Sequence, residues 1–521
     1  MEHLEQRQKV TIMIAIMAAM LFAALNQTII GTALPIIVAD IGGMKYFNWV
    51  FTIYMLASSI TAILVGKLSD TYGRKVFILT GIGVFIVASL LCGLSANIYQ
   101  LIIFRAIQGL GGGMIISTSF TAIGDLFPPR ERGRWQGMMG SVFGLASVFG
   151  PTFGGYIVDT WQWNWVFWVF LPFGFVAFIM IWKMFPNPEQ NEKQSVDFLG
   201  AILLTLTIIP LLLAFSWAGQ NFAWSSPIII GLFTWSIIGL AAFIVVERRV
   251  ENPVIPLHLF KNSIFSISNM AGLLMGMGMF GAIMYMPFFI QGVLGISATQ
   301  TGFIMMSMML SMVLTSTIGG QLITRTGRYK IFAIAGLLIM AGGMYSMSLM
   351  SVDTTVTGVV RNLVFVGLGL GLTFPVLTLT VQNAVEHQYL GVSTSASQFF
   401  RQAGGTMGVS IMGSIMNMIM GRKMANVSAA NDFEETSELQ DPQVLMDPNQ
   451  ISSLAETSKV PSAQFEQMIF SMREVLSQSL NGSFLFGTFI LLGAWVLILF
   501  LKEIPLRMTN QPAKKEEKIS S

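Results

Sequence analysis

The apolar stretches of this chain hold almost no side chain able to move a proton; their polar groups are arginines, amides and hydroxyls. Arg105, Arg361 and Arg401 all fall within runs long enough to cross a bilayer. An arginine at the centre of such a helix costs roughly 2.5–3.5 kcal/mol on insertion scales, so Arg105 and Arg401 are expected to face protein or water. Arg361 lies near the end of its run and is expected to snorkel to the interface. Gln108 follows Arg105 by one turn, Gln398 and Gln402 flank Arg401, and Asn26, Gln27 and Tyr285 complete the polar set. These groups are suited either to hydrogen-bonding a ligand or to bracing the carbonyls of glycine-rich helices, and both readings stand.

A proton carrier within a membrane normally needs a titratable group shielded from bulk water. No Asp or Glu is expected well inside a span; the nearest are Asp40, Asp125, Asp159 and Glu386, all near helix ends. Asn26 cannot titrate, though it can hydrogen-bond a substrate or a neighbouring helix. Other chemistries lack their parts. Cys92 is the only cysteine, and His3, His258 and His387 lie far apart, so no disulfide framework, metal site or cofactor is expected. No GxxxxGK[ST] loop is present to cradle ATP. An enzyme would need a nucleophile, base or metal ligands gathered near one membrane face, and the sequence shows no such set.

These polar groups sit in a chain whose composition is that of a membrane protein. Of 521 residues, 54% are hydrophobic and 11% charged, against roughly 25% charged in a soluble domain; mean hydropathy is +0.69. A net charge of +3 is too small and too scattered to suggest nucleic acid. Fourteen apolar stretches of helix-spanning length recur, at about 10–35, 47–66, 76–95, 99–124, 135–157, 164–184, 198–217, 226–246, 263–290, 301–323, 331–350, 358–381, 393–420 and 480–501. The first is too long for a signal peptide and is expected to be retained. With the N-terminus inside, and Lys183 counted at the inner end of its span, 21 of the 29 Lys and Arg residues fall on the cytoplasmic side and five outside. That bias predicts cytoplasmic termini and a plasma-membrane protein.

One connection, 421–479, is long, with nine acidic and four basic residues. Within it Phe465, Met468, Ile469, Met472, Val475, Leu476 and Leu480 fall at helical spacing. They are expected to form either an amphipathic helix on the outer membrane surface or a short helix within a solvated spacer.

The loop after span 2 reads Gly66-Lys67-Leu68-Ser69-Asp70-Thr71-Tyr72-Gly73-Arg74-Lys75, and Gly320-Gln321-Leu322-Ile323-Thr324-Arg325-Thr326-Gly327-Arg328 echoes it after span 10. Glycines allow a tight turn, Asp70 suits the positive N-terminal end of a neighbouring helix, and Arg74 suits a carboxylate. The repeat suggests two homologous halves. Span 1 contains Ala24-Leu25-Asn26-Gln27-Thr28-Ile29-Ile30-Gly31-Thr32-Ala33-Leu34-Pro35, and span 4 contains Arg105-Ala106-Ile107-Gln108-Gly109 before a glycine run. Span 5 contains Gly150-Pro151-Thr152-Phe153-Gly154-Gly155, followed by Trp163-Asn164-Trp165-Val166-Phe167 and Leu171-Pro172-Phe173-Gly174.

In these motifs, taken in order from about residue 10 to 505, the chain resembles the major facilitator superfamily and its 14-span drug:proton antiporter branch. The resemblance implies an all-α integral membrane fold of two six-helix bundles around a central cavity, with spans 7 and 8 as an inserted pair. It implies units at 1–185, 186–262 and 263–505, then a cytoplasmic tail at 506–521. Asp70, Arg74 and Asp125, with Gly66 and Gly73, would form a cytoplasmic latch, and Gly150, Pro151, Gly154 and Gly155 would shape a sealing helix. Arg105 matches the family arginine associated with proton coupling. Asn26 departs from the pattern, because close relatives carry aspartate there.

The function implied is multidrug efflux of hydrophobic or amphipathic small molecules driven by proton antiport, through a monomer in the lipid bilayer. A dedicated exporter of an endogenous anionic lipid, fatty acid or metabolite is the alternative, favoured by the missing carboxylate and the buried arginines. Methionines such as Met275, Met277, Met279 and Met284, beside Phe280 and Tyr285, and Met305, Met306, Met308, Met309 and Met312 would suit a tolerant apolar cavity.

Overall fold

The computed structural model describes residues 4–42, 46–186, 197–219, 221–431 and 462–506. Among these the chain is helical apart from short turns. In order come α1 (Gln6–Ile41), α2 (Phe47–Tyr72), α3 (Arg74–Gly93), α4 (Ile98–Leu126), α5 (Pro129–Thr160), the single turn α6 (Trp165–Trp168) and α7 (Leu171–Met184). Then follow α8 (Phe198–Trp217), α9 (Pro227–Glu247), α10 (Ser263–Pro287), α11 (Ala298–Thr326), α12 (Lys330–Met347), α13 (Val356–Asn383), α14 (Leu390–Asn431) and α15 (Ser462–Leu499). Fourteen segments are long and apolar enough to cross a membrane, with α6 and α7 forming one of them.

The polar breaks between apolar runs supply the helix starts. Side chains of Asn97, Asp197, Ser226, Asn262, Ser297 and Thr355 each accept a hydrogen bond from a backbone N–H in the first turn that follows. Proline occupies the first turn of α5, α7 and α9, where its missing N–H is not needed. Gly73, at φ 92°, makes the one-residue break between α2 and α3, a conformation that other residues adopt only with strain.

Small residues bring the helices together, as expected where lipid supplies no hydrophobic drive between them. In the first half α4 packs against α2 and α3, and α1 against α5 and α7. A Cβ on Gly109 or Gly113 would strike the α2 backbone, and one on Gly111 the α3 backbone. In the second half α10 packs on α14 and α15, and α13 on α11 and α12. The halves meet along α5–α11 and α2–α14. The α8–α9 pair leans on α2 and α14, with Leu204, Ile208 and Leu212 buried against Leu56, Ile63 and Ala403.

The segment 421–479 departs from expectation. Helix α14 continues to Asn431, and α15 begins at Ser462 and runs unbroken into the last span. Its seven apolar residues from Phe465 to Leu480 are all buried in protein, so this stretch neither lies on a membrane surface nor forms a separate short helix. Ser477 and Asn481 donate to the carbonyl of Met350, and Lys423 bonds Gln478 across the two helices. The helical periodicity is real, but the apolar face meets protein instead of lipid. Residues 432–461 lie outside the described residues.

Candidate functional site

The segment Gly66–Arg74, the end of α2 and the start of α3, is anchored by charge. Arg74 pairs with Asp70 one turn earlier, and its Nε donates to Asp125 Oδ2 at 2.9 Å; its Nη1 reaches Ser69 Oγ at 2.5 Å. Asp125 also faces His387 Nε2 at 3.3 Å. Asp70 then crosses to the other half. Its two carboxylate oxygens accept from the backbone N–H groups of Gly391 (3.0 Å) and Val392 (3.1 Å), at the start of α14. A helix N-terminus carries about half a positive charge, so a carboxylate is stabilised there. The approach is tight: a Cβ on Gly66 would lie 2.3 Å from Ser395 Oγ, and one on Gly391 would lie 2.2 Å from the Gly66 carbonyl.

Other hydrogen bonds between the halves cluster on the same side. Ser117 meets Ser395 at 2.7 Å, Gln136 donates to Gln382 at 2.9 Å, Ser141 meets Thr317 at 2.8 Å, and Ser316 donates to the Gly137 carbonyl at 3.0 Å. Arg130 donates to the carbonyl of Thr324 at 3.3 Å. The deepest is Ser59 to Gln402 at 2.7 Å. Helices α4, α11 and α13 end on this side, and α5 and α14 begin there. Among the described residues, the halves are therefore hydrogen-bonded along one membrane face and not along the other.

Deeper in the first half lies a buried polar chain with no acid in it. Asn26 Oδ1 accepts from Gln108 Nε2 at 3.0 Å, and the same nitrogen reaches Ser89 Oγ at 2.7 Å. Arg105 Nη1 donates to Gln108 Oε1 at 2.5 Å and its Nε to the Val50 carbonyl at 3.3 Å. The guanidinium stacks 4.3 Å from the Tyr54 ring centroid and is fully buried. Arg105 Nη2, Asn26 Nδ2 and the Tyr54 hydroxyl are buried without a hydrogen-bond partner. Leaving a buried donor unsatisfied costs roughly 1–3 kcal/mol, and a desolvated cation–π contact contributes about 2 kcal/mol against it.

The second half has its own cation. Arg401 sits 4.2 Å above the Phe374 ring and is 9% exposed. No carboxylate pairs with it among the described residues. Gln398, one turn earlier, is buried with both amide atoms unpartnered.

A sequence model of the Major Facilitator Superfamily matches residues 16–409. The chain belongs to that superfamily. Among its members, it is 38% identical to the multidrug transporter protein MdtP of Bacillus subtilis, over 98% of this chain and 96% of that one. It is 35% identical to multidrug resistance protein 3 of the same organism, over 97% of each. Two solved facilitator structures share the fold at 14% identity. They are the human organic anion transporter MFSD10 (TM-score 0.59, covering 93% of this chain and 99% of that one) and the proton:xylose symporter XylE (TM-score 0.60, covering 96% and 97%). The facilitator fold and a transporter, not an enzyme, follow from these matches.

Against the facilitator fold, the remaining candidate residues divide. Gln27 turns away from the Asn26–Gln108 chain and donates to Met55 Sδ at 3.6 Å. Tyr285 donates to the Val409 carbonyl at 2.6 Å, so its hydroxyl staples α10 to α14. Gly150 closes on α1, where a Cβ would lie 2.0 Å from Thr28 Oγ1. Gly154 is buried, whereas Gly155 has open space beside it; the side chain of Pro151 is outside the described residues. Arg361 is exposed beside Asn362, and Asp40 accepts from Trp163 Nε1 at 2.6 Å. Met275 and Met308 are fully buried while Met284 is half exposed, so the methionines do not line one surface.

To the acids expected near span ends, Asp40, Asp125, Asp159 and Glu386, the structure adds two more at the ends of α8 and α9. Asp197 and Glu247, at the ends of the inserted pair, are 9% and 4% exposed. Their positions at span ends concealed them, because burial by a following linker leaves no mark in hydropathy.

Proposed function

We propose that this chain is a secondary active exporter that moves hydrophobic and amphipathic small molecules out of the cell in exchange for protons. The observation that carries the reading is the one-sided bonding of the halves. A carrier that alternates access must be shut on one face while the other opens, and Asp70 on the α14 N-terminus is a charge-based, breakable shutter. The names of the Bacillus subtilis relatives support the drug-like substrate class. The excess of Lys and Arg on the latch side supports cytoplasmic termini, a plasma-membrane location and a cytoplasmic latch. Residues 1–185 and 263–505 act as the two moving units, with 186–262 as the inserted pair and its linkers, within a monomer.

Arg105, Gln108 and Asn26 form the coupling centre of this reading, and Arg401 with Gln398 a substrate contact. Expression in a strain depleted of efflux pumps tests it. Resistance to amphipathic drugs that is abolished by a protonophore is expected; resistance that survives collapse of the proton gradient contradicts it.

A second reading is favoured by Arg401, a buried cation with no acid beside it. A cavity with fixed positive charge and Asn26 in place of an acid suits neutral or anionic cargo, since a second unpaired cation in a low-dielectric site is heavily penalised. Export of an endogenous anionic lipid, fatty acid or metabolite fits that charge.

A further inference from the structure

Helix α8 begins and α9 ends on the latch side, because the turn joining them is bonded to the middle of α14, well away from its latch-side start, through Ser410 and Ser414. At this end Asp197 caps α8, its Oδ1 accepting from Gly200 N at 2.8 Å. Its other oxygen, Oδ2, has no donor, and neither has Glu247 Oε2. Both orphan oxygens point at one spot: a Cβ on Gly200 would lie 2.2 Å from Asp197 Oδ2 and 2.8 Å from Glu247 Oε2. One methyl carbon added at Gly200 would touch both orphan oxygens, which places the two carboxyl groups side by side. Two buried carboxylates cannot both stay ionised at such a separation without a bridging cation.

We propose that Asp197 and Glu247 hold a single proton between them, and that this proton fastens the linker 248–262 to the start of α8. The second half of the claim rests on Glu247 Oε1, which accepts from the backbone N–H of Ile255 at 2.6 Å. Val254 beside it is buried among Leu204, Phe243 and Ala403. From there the linker runs to the latch: His258 meets Tyr389 edge to face at 5.2 Å between ring centroids, and Asn262 Nδ2 donates to the Ala384 carbonyl at 2.9 Å. Tyr389 lies two residues before Gly391, whose backbone N–H donates to Asp70. A proton on the pair thus braces the segment that carries the latch.

Among the described residues, no cation reaches the two orphan oxygens. On the packed elements, Arg248 and Arg249 at the end of α9 are exposed, as is Glu251 in the linker. On the other two helices that pack against α8, the basic residues are Lys67 of α2 and Arg401, Arg422 and Lys423 of α14, the last two toward the far end of α14. The ion pairs of Arg74 with Asp70 and Asp125, and of His387 with Asp125, do not reach Asp197 or Glu247. The native state here binds a proton that two separated carboxyls of an unfolded chain release at neutral pH, so the brace weakens as pH rises.

The test uses the full-length protein in lipid nanodiscs, titrated from about pH 5 to about pH 9, a range that spans buried carboxyl pairs. Infrared spectroscopy follows the protonated-carboxyl band, melting temperature follows stability, and hydrogen exchange follows the amides of 250–258. The native chain is expected to lose the band, melting temperature and protection of those amides together as pH rises. Asp197→Asn and Glu247→Gln should each remove that band component and flatten the melting curve against pH, because an amide N–H donates to the remaining carboxylate at any pH. Loss of the band in the native chain with unchanged protection of 250–258 overturns the fastening. A band that is present in both variants as in the native chain overturns the shared proton. Band loss that instead tracks added Na⁺ at constant pH also overturns it, identifying a bridging metal cation.

Discussion

The carboxylate of Asp70 accepts the backbone N–H of Gly391, joining the end of α2 to a helix start 321 residues further along the chain. Arg74 holds that carboxylate in place and is itself held by Asp125, so one guanidinium orients the contact across the two halves. The contact joins a charge to a helix terminus, so it is strong when made and requires no partner side chain to be released.

Removing the charge should unlatch this face. Asp70→Asn keeps one acceptor but loses the pairing with Arg74 and the attraction to the α14 dipole. A charge-assisted bond contributes roughly 1.5–3 kcal/mol, enough to shift the open-to-shut ratio about ten-fold or more. A cysteine placed at Ser395 should then label faster from the latch side in the variant, with Asp70→Glu partly restoring protection. Equal labelling in Asp70→Asn and native protein would show that the bond does not hold the face shut.

Bulk at the contact should act without altering charge. In Gly391→Ala the new methyl would fall 2.2 Å from the Gly66 carbonyl and 2.6 Å from both Asp70 oxygens. Both are unyielding neighbours, so the variant should insert and express normally, yet transport at least about ten-fold more slowly, a barrier change of roughly 1.4 kcal/mol. Gly155→Ala, which meets open space, is the matched control and should transport like the native protein.

The fourteen spans were legible in the sequence because each is a run of about 20 apolar residues, and the Lys and Arg bias checked their count independently. Residue type alone suggested a helix N-terminus for Asp70 and a carboxylate for Arg74, and Asp125 joined them only through the family resemblance. The helix that receives Asp70 was not legible: nothing local in Gly391 or Val392 marks their N–H groups as the receiving end. Asp197 and Glu247 were hidden for a related reason, being 50 residues apart and brought together only when α8 and α9 pair. The stretch from Phe465 to Leu480 shows the limit of periodicity, which identifies an apolar helical face but not whether lipid or protein covers it.

Arg105 should be irreplaceable by lysine. It contacts Gln108, the Val50 carbonyl and the Tyr54 ring at once, a fan that a single ammonium cannot reproduce. Arg105→Lys should lower transport by at least about 100-fold, or roughly 2.7 kcal/mol, while Arg105→Ala should also lower the melting temperature by leaving Gln108 Oε1 without its donor. Near-native transport in Arg105→Lys would reduce the residue to a generic positive charge.

Arg401 should behave oppositely in stability. It is buried over Phe374 without a carboxylate, and replacing an unpaired buried charge is often neutral or stabilising. Arg401→Gln should therefore melt no lower than the native protein, yet transport anionic amphiphiles about ten-fold less well, with neutral ones little changed. A uniform loss across neutral and anionic substrates would place Arg401 in the framework instead of the substrate path.

Proton-driven uphill export is tested most directly with purified protein in liposomes under an imposed pH gradient, with Asn26→Asp beside the native chain. Native protein is expected to accumulate a neutral or anionic amphiphile against its gradient only while the pH difference lasts, and to move divalent cationic dyes poorly. Asn26→Asp should extend uphill transport to those dyes. Native protein that merely equilibrates substrate, with uphill transport appearing only in Asn26→Asp, would contradict the account and make this chain a facilitator.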